Sequence, residues 1–189
     1  MIRDENKEQA LLQQVVRGNT MAMKKFYDTY SGYLTAVCSR YIADKEDVKD
    51  ILQESFIKIF KAVDKFEYKG AGSLKAWSAR IVVNEALKHI RESNKLKVMN
   101  LPGEELPDMA DDREPDFNEI PTQVILEMIR KLPVGYRTVF NLYVFEEKSH
   151  KEIASMLSIS ESTSASQLHR AKGLLMQEID LYRFKKMAL

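Results

Sequence analysis

The chain has 189 residues, of which 44% are hydrophobic and 30% charged, a composition typical of one large or two small globular domains and not of a disordered protein. A single cysteine, Cys38, excludes a disulfide framework and a cysteine-based zinc site. The charged start lacks a signal-peptide pattern, and no run of apolar residues is long enough to predict a transmembrane helix. We therefore expect a cytoplasmic protein without membrane insertion.

Charge is unevenly distributed along the chain, although the formal net charge is only +1. Residues 1–102 carry 18 lysines and arginines against 13 acidic residues, and residues 120–189 carry ten against seven. Between these basic blocks, residues 103–119 carry eight acidic residues and one arginine, together with two of the five prolines. Repulsion among the acids and the restricted backbone of proline predict an exposed, flexible acidic linker over 97–119. This linker would join two helical domains, 1–96 and 120–189.

Apolar residues in the first domain recur at intervals of three and four, which is the period of an α-helix. The pattern predicts a short helix over 8–16 and longer helices over 26–41 and 48–63, the last preceded by Asp44 as its N-cap. Cys38 falls on an apolar helix face and is expected to be a core residue. No strand pattern is evident, so the predicted fold class is all-α.

A segment with two glycines, 67–73, interrupts the helical pattern and predicts a loop. Ser73 is suited to cap the next helix, which is predicted to reach about Lys95. One face of that helix is apolar, and the other carries Trp77, Arg80, Asn84, Lys88 and Arg91. Cations bind phosphates and rings stack on bases, so the second face suits single-stranded nucleic acid. The alternative is that Trp77 is a core residue and the rest is a solvated face.

The C-terminal part of the chain follows the plan of a helix-turn-helix. Ser149 and Glu152 have the spacing of a capping box, and the short helix that they begin ends at the polar turn 158–160. Ser160 is suited to cap a longer helix that runs towards Leu181. Such a helix would lie in the major groove of DNA. The alternative interpretation is an αα-hairpin within a helical bundle.

Features of an enzyme are scarce in the sequence. The three histidines are scattered, and the glycine-containing segment lacks the spacing of a nucleotide-binding loop. Asp47, Asp50 and Glu54 share a helix face and could bind a metal, but their polar companions favour a docking surface or a solvated acidic face. We therefore predict a protein that is not an enzyme and uses no cofactor or metal.

Three stretches of the chain resemble the bacterial sigma-70 family of RNA polymerase sigma factors. Residues 47–56, DVKDILQESF, resemble the second-region signature of the family, and residues 74–86, LKAWSARIVVNEA, continue it at the right distance. Residues 152–172 resemble the helix-turn-helix of the fourth region. The short two-domain layout resembles the extracytoplasmic-function (ECF) subgroup. The resemblance covers nearly the whole chain.

The resemblance implies a sigma factor that binds core RNA polymerase, directs initiation at promoter DNA and helps to open the −10 element. It assigns polymerase binding to Asp50, Gln53, Glu54 and Phe56. It assigns the −10 element to Phe66, Tyr68, Lys69, Gly70, Trp77, Arg80, Asn84, Lys88 and Arg91. It assigns the −35 element to Ala165, Ser166, Gln167, His169, Arg170 and Lys172. An anti-sigma factor is a further implied partner, and association with the nucleoid is implied during initiation.

The recognition helix departs from the family pattern, which usually has Val at the position of Ser164, a cation at Ala165 and Arg at Gln167. In the turn, Ser158 replaces a common glycine. The loss of two cations is expected to weaken −35 binding, since each base or phosphate contact matters by about 1–3 kcal/mol.

Three questions stay open on the sequence. The acidic linker either mimics the charge of RNA inside a basic channel of the polymerase or only keeps the segment soluble. The main alternative function is a free-standing helix-turn-helix regulator that binds duplex DNA without polymerase. An anti-sigma-like or scaffold protein is a third class, which the two basic surfaces disfavour.

Overall fold

The computed structural model describes residues 2–93 and 114–187, and their regular structure consists of α-helices and one short 3-10 turn, with no strand in these ranges. The prediction of an all-α fold is confirmed. The chain divides into two compact units, Met1–Ile90 and Arg91–Leu189. Most of the predicted linker, including its boundary at residue 97, lies outside the described residues, so the exact domain limits stay predictions.

Four helices form the N-terminal unit: α1 (Ile2–Val16), α2 (Thr20–Tyr41), α3 (Lys45–Ala62) and α4 (Ser73–Glu92). A 3-10 turn, Val63–Lys65, follows α3. All the predicted helices of this unit are present, although α1 and α2 begin at Ile2 and Thr20, earlier than the apolar pattern indicated. Helix α2 packs against both α1 and α3.

The helix boundaries in this unit follow from local hydrogen bonding. Gly18 has a φ of +75°, a left-handed conformation that reverses the chain after α1. The Asn19 side chain then caps α2. The predicted N-cap at Asp44 is confirmed, since its carboxylate accepts the backbone N–H groups of Glu46 and Asp47 at 2.8 and 3.0 Å.

The apolar faces of these helices form one core. Its fully enclosed members are Phe26, Leu34, Cys38, Tyr41, Ile59, Leu74, Val82 and Ala86. The prediction that Cys38 is a core residue is therefore confirmed. Burial raises the pKa of the Cys38 thiol to about 12, which keeps it protonated and unreactive.

Residues 114–187, the described part of the C-terminal unit, contain four helices: α5 (Thr122–Lys131), α6 (Val134–Val144), α7 (His150–Leu157) and α8 (Glu161–Met187). Helix α8 packs on α5, α6 and α7, and it is longer than predicted. The core between these helices includes Ile129, Leu142, Ile153, Ala171 and Leu175. None of the helices in the described ranges is both long and apolar enough to cross a membrane.

The helix-turn-helix is formed by α7, the turn and α8. The predicted capping box is present: the Glu152 carboxylate accepts the Ser149 backbone N–H at 2.9 Å, and the Ser149 hydroxyl accepts the Glu152 N–H at 3.3 Å. Ser160 caps α8 by accepting the Thr163 N–H at 2.9 Å. Ser158 ends α7 with a φ of +57°, in the left-handed region that favours glycine. This backbone conformation explains why the family commonly has glycine at the position of Ser158.

Candidate nucleic-acid and protein interfaces

One exposed face of α3 carries the first candidate site. Asp50, Gln53 and Glu54 are all exposed, and Ile57, spaced three residues from Glu54, is 47% exposed beside them. The opposite side of the helix packs into the core. This docking face, defined as Asp50, Gln53, Glu54 and Ile57, therefore presents two carboxylates, an amide and an aliphatic side chain on a rigid element.

An ion pair and a histidine–carboxylate hydrogen bond join α3 to α4. Lys58 Nζ lies 2.6 Å from the Glu85 carboxylate, which is nearly buried, and His89 Nε2 lies 3.2 Å from Asp47. Both pairs flank the docking face rather than occupy it. They fix the orientation of α3, so that the exposed residues keep their places when a partner binds.

Phe56 does not lie on the docking face, which corrects the assignment carried over from the family resemblance. Its side chain is 6% exposed. Its ring packs against Phe26, Phe60 and Tyr27 at centroid distances of 6.3, 6.1 and 4.7 Å. Residues two apart on a helix point to nearly opposite sides, so position 56 faces away from position 54. Position 57 is three residues from position 54 and lies about one turn along the same face.

The loop 66–72 and the start of α4 form the second candidate site. The Phe66 ring packs on Trp77 with centroids 4.9 Å apart, so both predicted aromatics lie together at the base of the loop. Gly70 and Gly72 have φ values of +106° and +84°, so this backbone path favours glycine at both positions. Ser73 is the first residue of α4 and not its cap. Its hydroxyl instead accepts the Lys69 backbone N–H at 3.2 Å and so closes the loop.

The polar face of α4 is continuous with this loop. Arg80, Asn84, Lys88 and Arg91 are exposed, as the sequence predicted. Trp77 is half-buried, so it belongs both to the core edge and to the surface. The assignment of this face to nucleic acid stays a prediction, beside the alternative in which Trp77 is a core residue and the others form a solvated face. The face can offer cations to phosphates and the edge of a ring to a base.

Glu8 is a residue of this site that the sequence reasoning missed. It lies on α1, yet its carboxylate accepts the backbone N–H of Gly72 at 2.8 Å. The hydroxyl groups of Tyr30 and Tyr68 donate to the same carboxylate at 3.0 and 3.4 Å. No local pattern reveals such a contact, since Glu8 and Gly72 are separated by 64 positions in the chain.

The first turns of α8 form the third candidate site. Ala165, Ser166, His169 and Arg170 are exposed and share one face, as predicted for a recognition helix. The Arg170 guanidinium donates to the Tyr136 hydroxyl at 3.3 Å, a weak surface contact that leaves the cation available.

Gln167 is not on that face, which corrects its assignment as a base-contacting residue. It is 4% exposed. It lies one turn from Ser164 and one turn from Ala171, both of which are fully buried, so its side chain points into the unit and not towards DNA. A glutamine at this position therefore contributes to the packing of α8.

Lys172 is half-buried and forms an ion pair with Glu114, at the end of the acidic segment. Asp116 pairs with Arg183 of α8 at 2.8 Å, and hydrogen bonding from Arg183 holds the pKa of Asp116 below its usual range. Ile120 is buried against the same unit. Residues 114–119 were predicted to be part of the linker, but they lie against α8, because their acidic side chains pair with its cations.

The described part of the chain contains no group of three or more His, Cys, Asp or Glu residues that could hold a metal ion. Asp47, which the sequence placed in a possible metal set with Asp50 and Glu54, instead pairs with His89. The three sites are built from exposed charges, amides and rings.

Two solved structures resemble the fold in part. The sigma factor RpoE in complex with the anti-sigma factor NepR from Bartonella quintana is 18% identical and has a TM-score of 0.48, covering 83% of this chain and 96% of that one. CnrH in complex with the cytosolic domain of CnrY is 22% identical with a TM-score of 0.46, covering 91% and 96% of the two chains.

Sequence relatives extend over most of the chain. The ECF RNA polymerase sigma-E factor of Haemophilus influenzae is 24% identical over 188 residues, 91% of this chain and 95% of the relative. That of Escherichia coli K12 is 26% identical over 175 residues, 87% and 90% of the two chains. The RNA polymerase sigma-H factor of Pseudomonas aeruginosa is 25% identical over 178 residues, 89% and 91%.

Family models match both structural units. The model of Sigma-70 region 2 matches residues 26–96, which include the docking face, the loop and the polar face of α4. The model of Sigma-70, region 4 matches residues 122–175, which include the helix-turn-helix. With both regions present in order, the chain belongs to the sigma-70 family of RNA polymerase sigma factors, in the ECF subgroup.

Proposed function

We propose that this chain binds core RNA polymerase through the docking face of α3 and directs it to promoters whose −10 and −35 elements contact α4 and α8. The observation that carries this proposal is the docking face itself. A regulator that binds duplex DNA on its own has no use for an exposed acidic and aliphatic helix face held by an ion pair and a hydrogen bond to α4. A polymerase subunit needs such a face.

The −10 element would be bound by the loop 66–72 and by the polar face of α4. Opening the duplex costs a few kcal/mol per unstacked base, so a binding site must return comparable contact energy. The cations of α4 can follow the backbone of the opened strand, and the half-buried Trp77 ring lies beside the loop for stacking. The polymerase, and not this chain, carries out nucleotide addition, so the proposed role is not enzymatic.

The −35 element would contact the face formed by Ala165, Ser166, His169 and Arg170. Two residues of that face, His169 and Arg170, have side chains that donate hydrogen bonds over long reach, and Ala165 leaves room for a base or a thymine methyl. We include an anti-sigma factor among the partners proposed for this chain, and the cytoplasm, at the nucleoid during initiation, as its place of action.

Run-off transcription with purified core polymerase tests the proposal, on promoters obtained by selection from genomic DNA. The wild-type chain is expected to support specific transcripts, and Glu54→Lys is expected to weaken polymerase binding at least about tenfold, because it reverses the charge at an interface centre. Asp28→Lys reverses an exposed charge on α2 and serves as the matched control.

The outcomes separate the two candidate functions. If Glu54→Lys binds polymerase like the wild type while its helical content is intact, the docking face is wrongly assigned. If the wild-type chain binds promoter duplexes tightly but never co-purifies with polymerase, the chain acts as a free-standing helix-turn-helix regulator.

A further inference from the structure

Glu8 connects three parts of the N-terminal unit through one carboxylate. Its Oε1 accepts the Tyr30 hydroxyl of α2 at 3.0 Å. Its Oε2 accepts the Gly72 backbone N–H at 2.8 Å and the Tyr68 hydroxyl at 3.4 Å. Hydrogen bonds to an ionised acceptor are about twice as strong as neutral ones. The carboxylate therefore ties α1 to α2 on one side and to the loop 66–72 on the other.

The geometry of the loop explains why it needs this contact. Gly72 has a φ of +84°, and a Cβ built there would meet nothing within 4 Å. Glycine is thus favoured at this position by the backbone path and not by crowding. Glycine also has the largest backbone freedom in the unfolded chain, so a loop with Gly70 and Gly72 is costly to order without an external anchor. Glu8 supplies that anchor at the junction with α4.

The other end of the loop has its own anchor. Phe66 packs on Trp77 of α4 at a centroid distance of 4.9 Å. Between the two anchors, Glu67 and Lys69 are exposed, and Gly70 is half-exposed. Tyr68 points back to Glu8, so its hydroxyl is engaged within the protein. The exposed tip of the loop is therefore short, and both of its ends are fixed.

We infer that Glu8 is a positioning residue for base recognition: its carboxylate fixes the loop 66–72 in the shape that accepts an unstacked base of the −10 element. The inference rests on the proposed function, since it names the residue that prepares the same site. Glu8 would not touch DNA. It would act through the Gly72 amide and Tyr68, so its loss would change which base is preferred more than it changes attraction to DNA.

Tyr30 of α2 remains a hydrogen-bond donor to the Glu8 carboxylate. Burial raises the pKa of the Tyr30 hydroxyl above its ordinary value, and the charge of Glu8 raises it further. Tyr30 therefore stays protonated and keeps donating to Oε1. With one oxygen held by α2, the other is oriented towards the loop and is preorganised for Gly72.

Three variants test the inference against a control. Glu8→Ala removes both acceptors. Glu8→Gln removes the charge but can keep an acceptor oxygen for the Gly72 N–H while its amide donates to the Tyr30 hydroxyl, so both hydrogen bonds become neutral ones. Tyr30→Phe removes only the hydroxyl and leaves the ring in the core. Gln9→Ala changes the exposed neighbour on α1 and should behave as the wild type.

The first measurement is amide hydrogen exchange of the isolated chain. Glu8→Ala is expected to accelerate exchange of the Gly72 amide about tenfold, as loss of one hydrogen bond to a charged group implies. Glu8→Gln and Tyr30→Phe should give smaller increases, and Gln9→Ala none. This readout does not depend on polymerase. Unchanged exchange in Glu8→Ala would overturn the inference even if the chain is a sigma factor.

The second measurement is open-complex formation on two promoters that differ at one base of the −10 element. Glu8→Ala is expected to reduce the ratio between the two promoters about tenfold, with polymerase affinity and helical content unchanged. An equal loss on both promoters would show a merely structural role and would overturn the inference. If the wild-type chain opens neither promoter, the proposed function fails, whereas the exchange result would still show whether Glu8 holds the loop.

Discussion

His150 and Ser164 join the two helices of the helix-turn-helix by a partly buried hydrogen bond. His150 Nδ1 lies 2.9 Å from the Ser164 hydroxyl, and the His150 ring stacks on Tyr143 with centroids 5.0 Å apart. Ser164 is fully buried, at a position where the family usually has valine. The polar residue is compatible with burial because His150 satisfies its hydroxyl. This departure from the family pattern is therefore compensated within the fold.

Ser164→Ala is expected to destabilise the chain by about 1 kcal/mol, because the hydrogen bond is lost and the His150 nitrogen stays partly enclosed. Urea unfolding measures the change. Ser166→Ala, on the exposed side of the same helix, should change stability by less than about 0.5 kcal/mol. A double-mutant cycle with His150→Ala should show coupling between the two positions, and additive effects would mean that the hydrogen bond contributes nothing.

The capping box of α7 makes stability depend on pH. Hydrogen bonds from the Ser149 backbone and hydroxyl, with a further one from Lys148, lower the pKa of Glu152 from 4.5 to about 2. The folded pKa lies below the unfolded one, so the ionised carboxylate stabilises the fold above pH 4.5, and this contribution is lost as the pH falls towards about 2. Glu152→Gln should remove that component. Urea midpoints measured across this range for both proteins provide the comparison, and identical pH profiles would contradict the assignment.

The sequence predicted those features that depend on local pattern. The capping box at Ser149, the N-cap at Asp44 and the exposed face of α4 all follow from residue type and helix period, and all are present. The errors at Phe56 and Gln167 have another origin. A motif carried over from a family names residues in a row, but a helix turns by about 100° per residue, so adjacent members of a motif point in different directions.

Contacts between distant segments could not be predicted from pattern. Glu8 lies in a mostly polar first helix and resembles any solvated glutamate until the fold brings Gly72 and Tyr30 to it. The pairing of Glu114 with Lys172 is of the same kind, since acidic residues near proline indicate only a linker. Such contacts depend on tertiary structure, and no local propensity encodes them.

The pairing of Glu114 with Lys172 is expected to weaken DNA binding by the C-terminal unit, because it neutralises a cation of α8. Glu114→Gln should raise affinity for a −35 duplex by up to about fivefold, the range of an exposed ion pair. It should also steepen the salt dependence by about one counterion. Binding isotherms across a salt series, for the full chain with core polymerase, measure both effects.

Glu119→Gln is the control for that experiment. It makes the same change of charge in the same segment but leaves the Glu114–Lys172 and Asp116–Arg183 ion pairs in place. An equal gain in both variants would indicate a general effect of net charge. No gain in Glu114→Gln would mean that Lys172 does not approach DNA, and its assignment to the −35 site would then be wrong.

The recognition helix provides the sharpest test of how this chain contacts DNA. Ala165 is exposed on the same face as Arg170, where relatives usually place a cation, and an alanine can neither donate a hydrogen bond nor neutralise phosphate. Ala165→Lys should therefore add nonspecific affinity and steepen the salt dependence by about one counterion. Arg170→Ala should lower the affinity for promoter DNA by a larger factor than that by which Ala165→Lys raises the ratio of specific to nonspecific affinity. The reason is that Arg170→Ala removes a cation already in place.

Gln177→Lys separates a local contact from a general charge effect. It adds the same cation to an exposed position of α8, about 18 Å along the helix axis from Ala165, which exceeds the screening length of about 8–10 Å at physiological salt. Its salt slope should therefore stay close to that of the wild type. If Ala165→Lys leaves the slope unchanged as well, position 165 faces away from DNA. The contact face of α8 must then be rotated by at least one residue, and Ser166 and Arg170 would be its leading members.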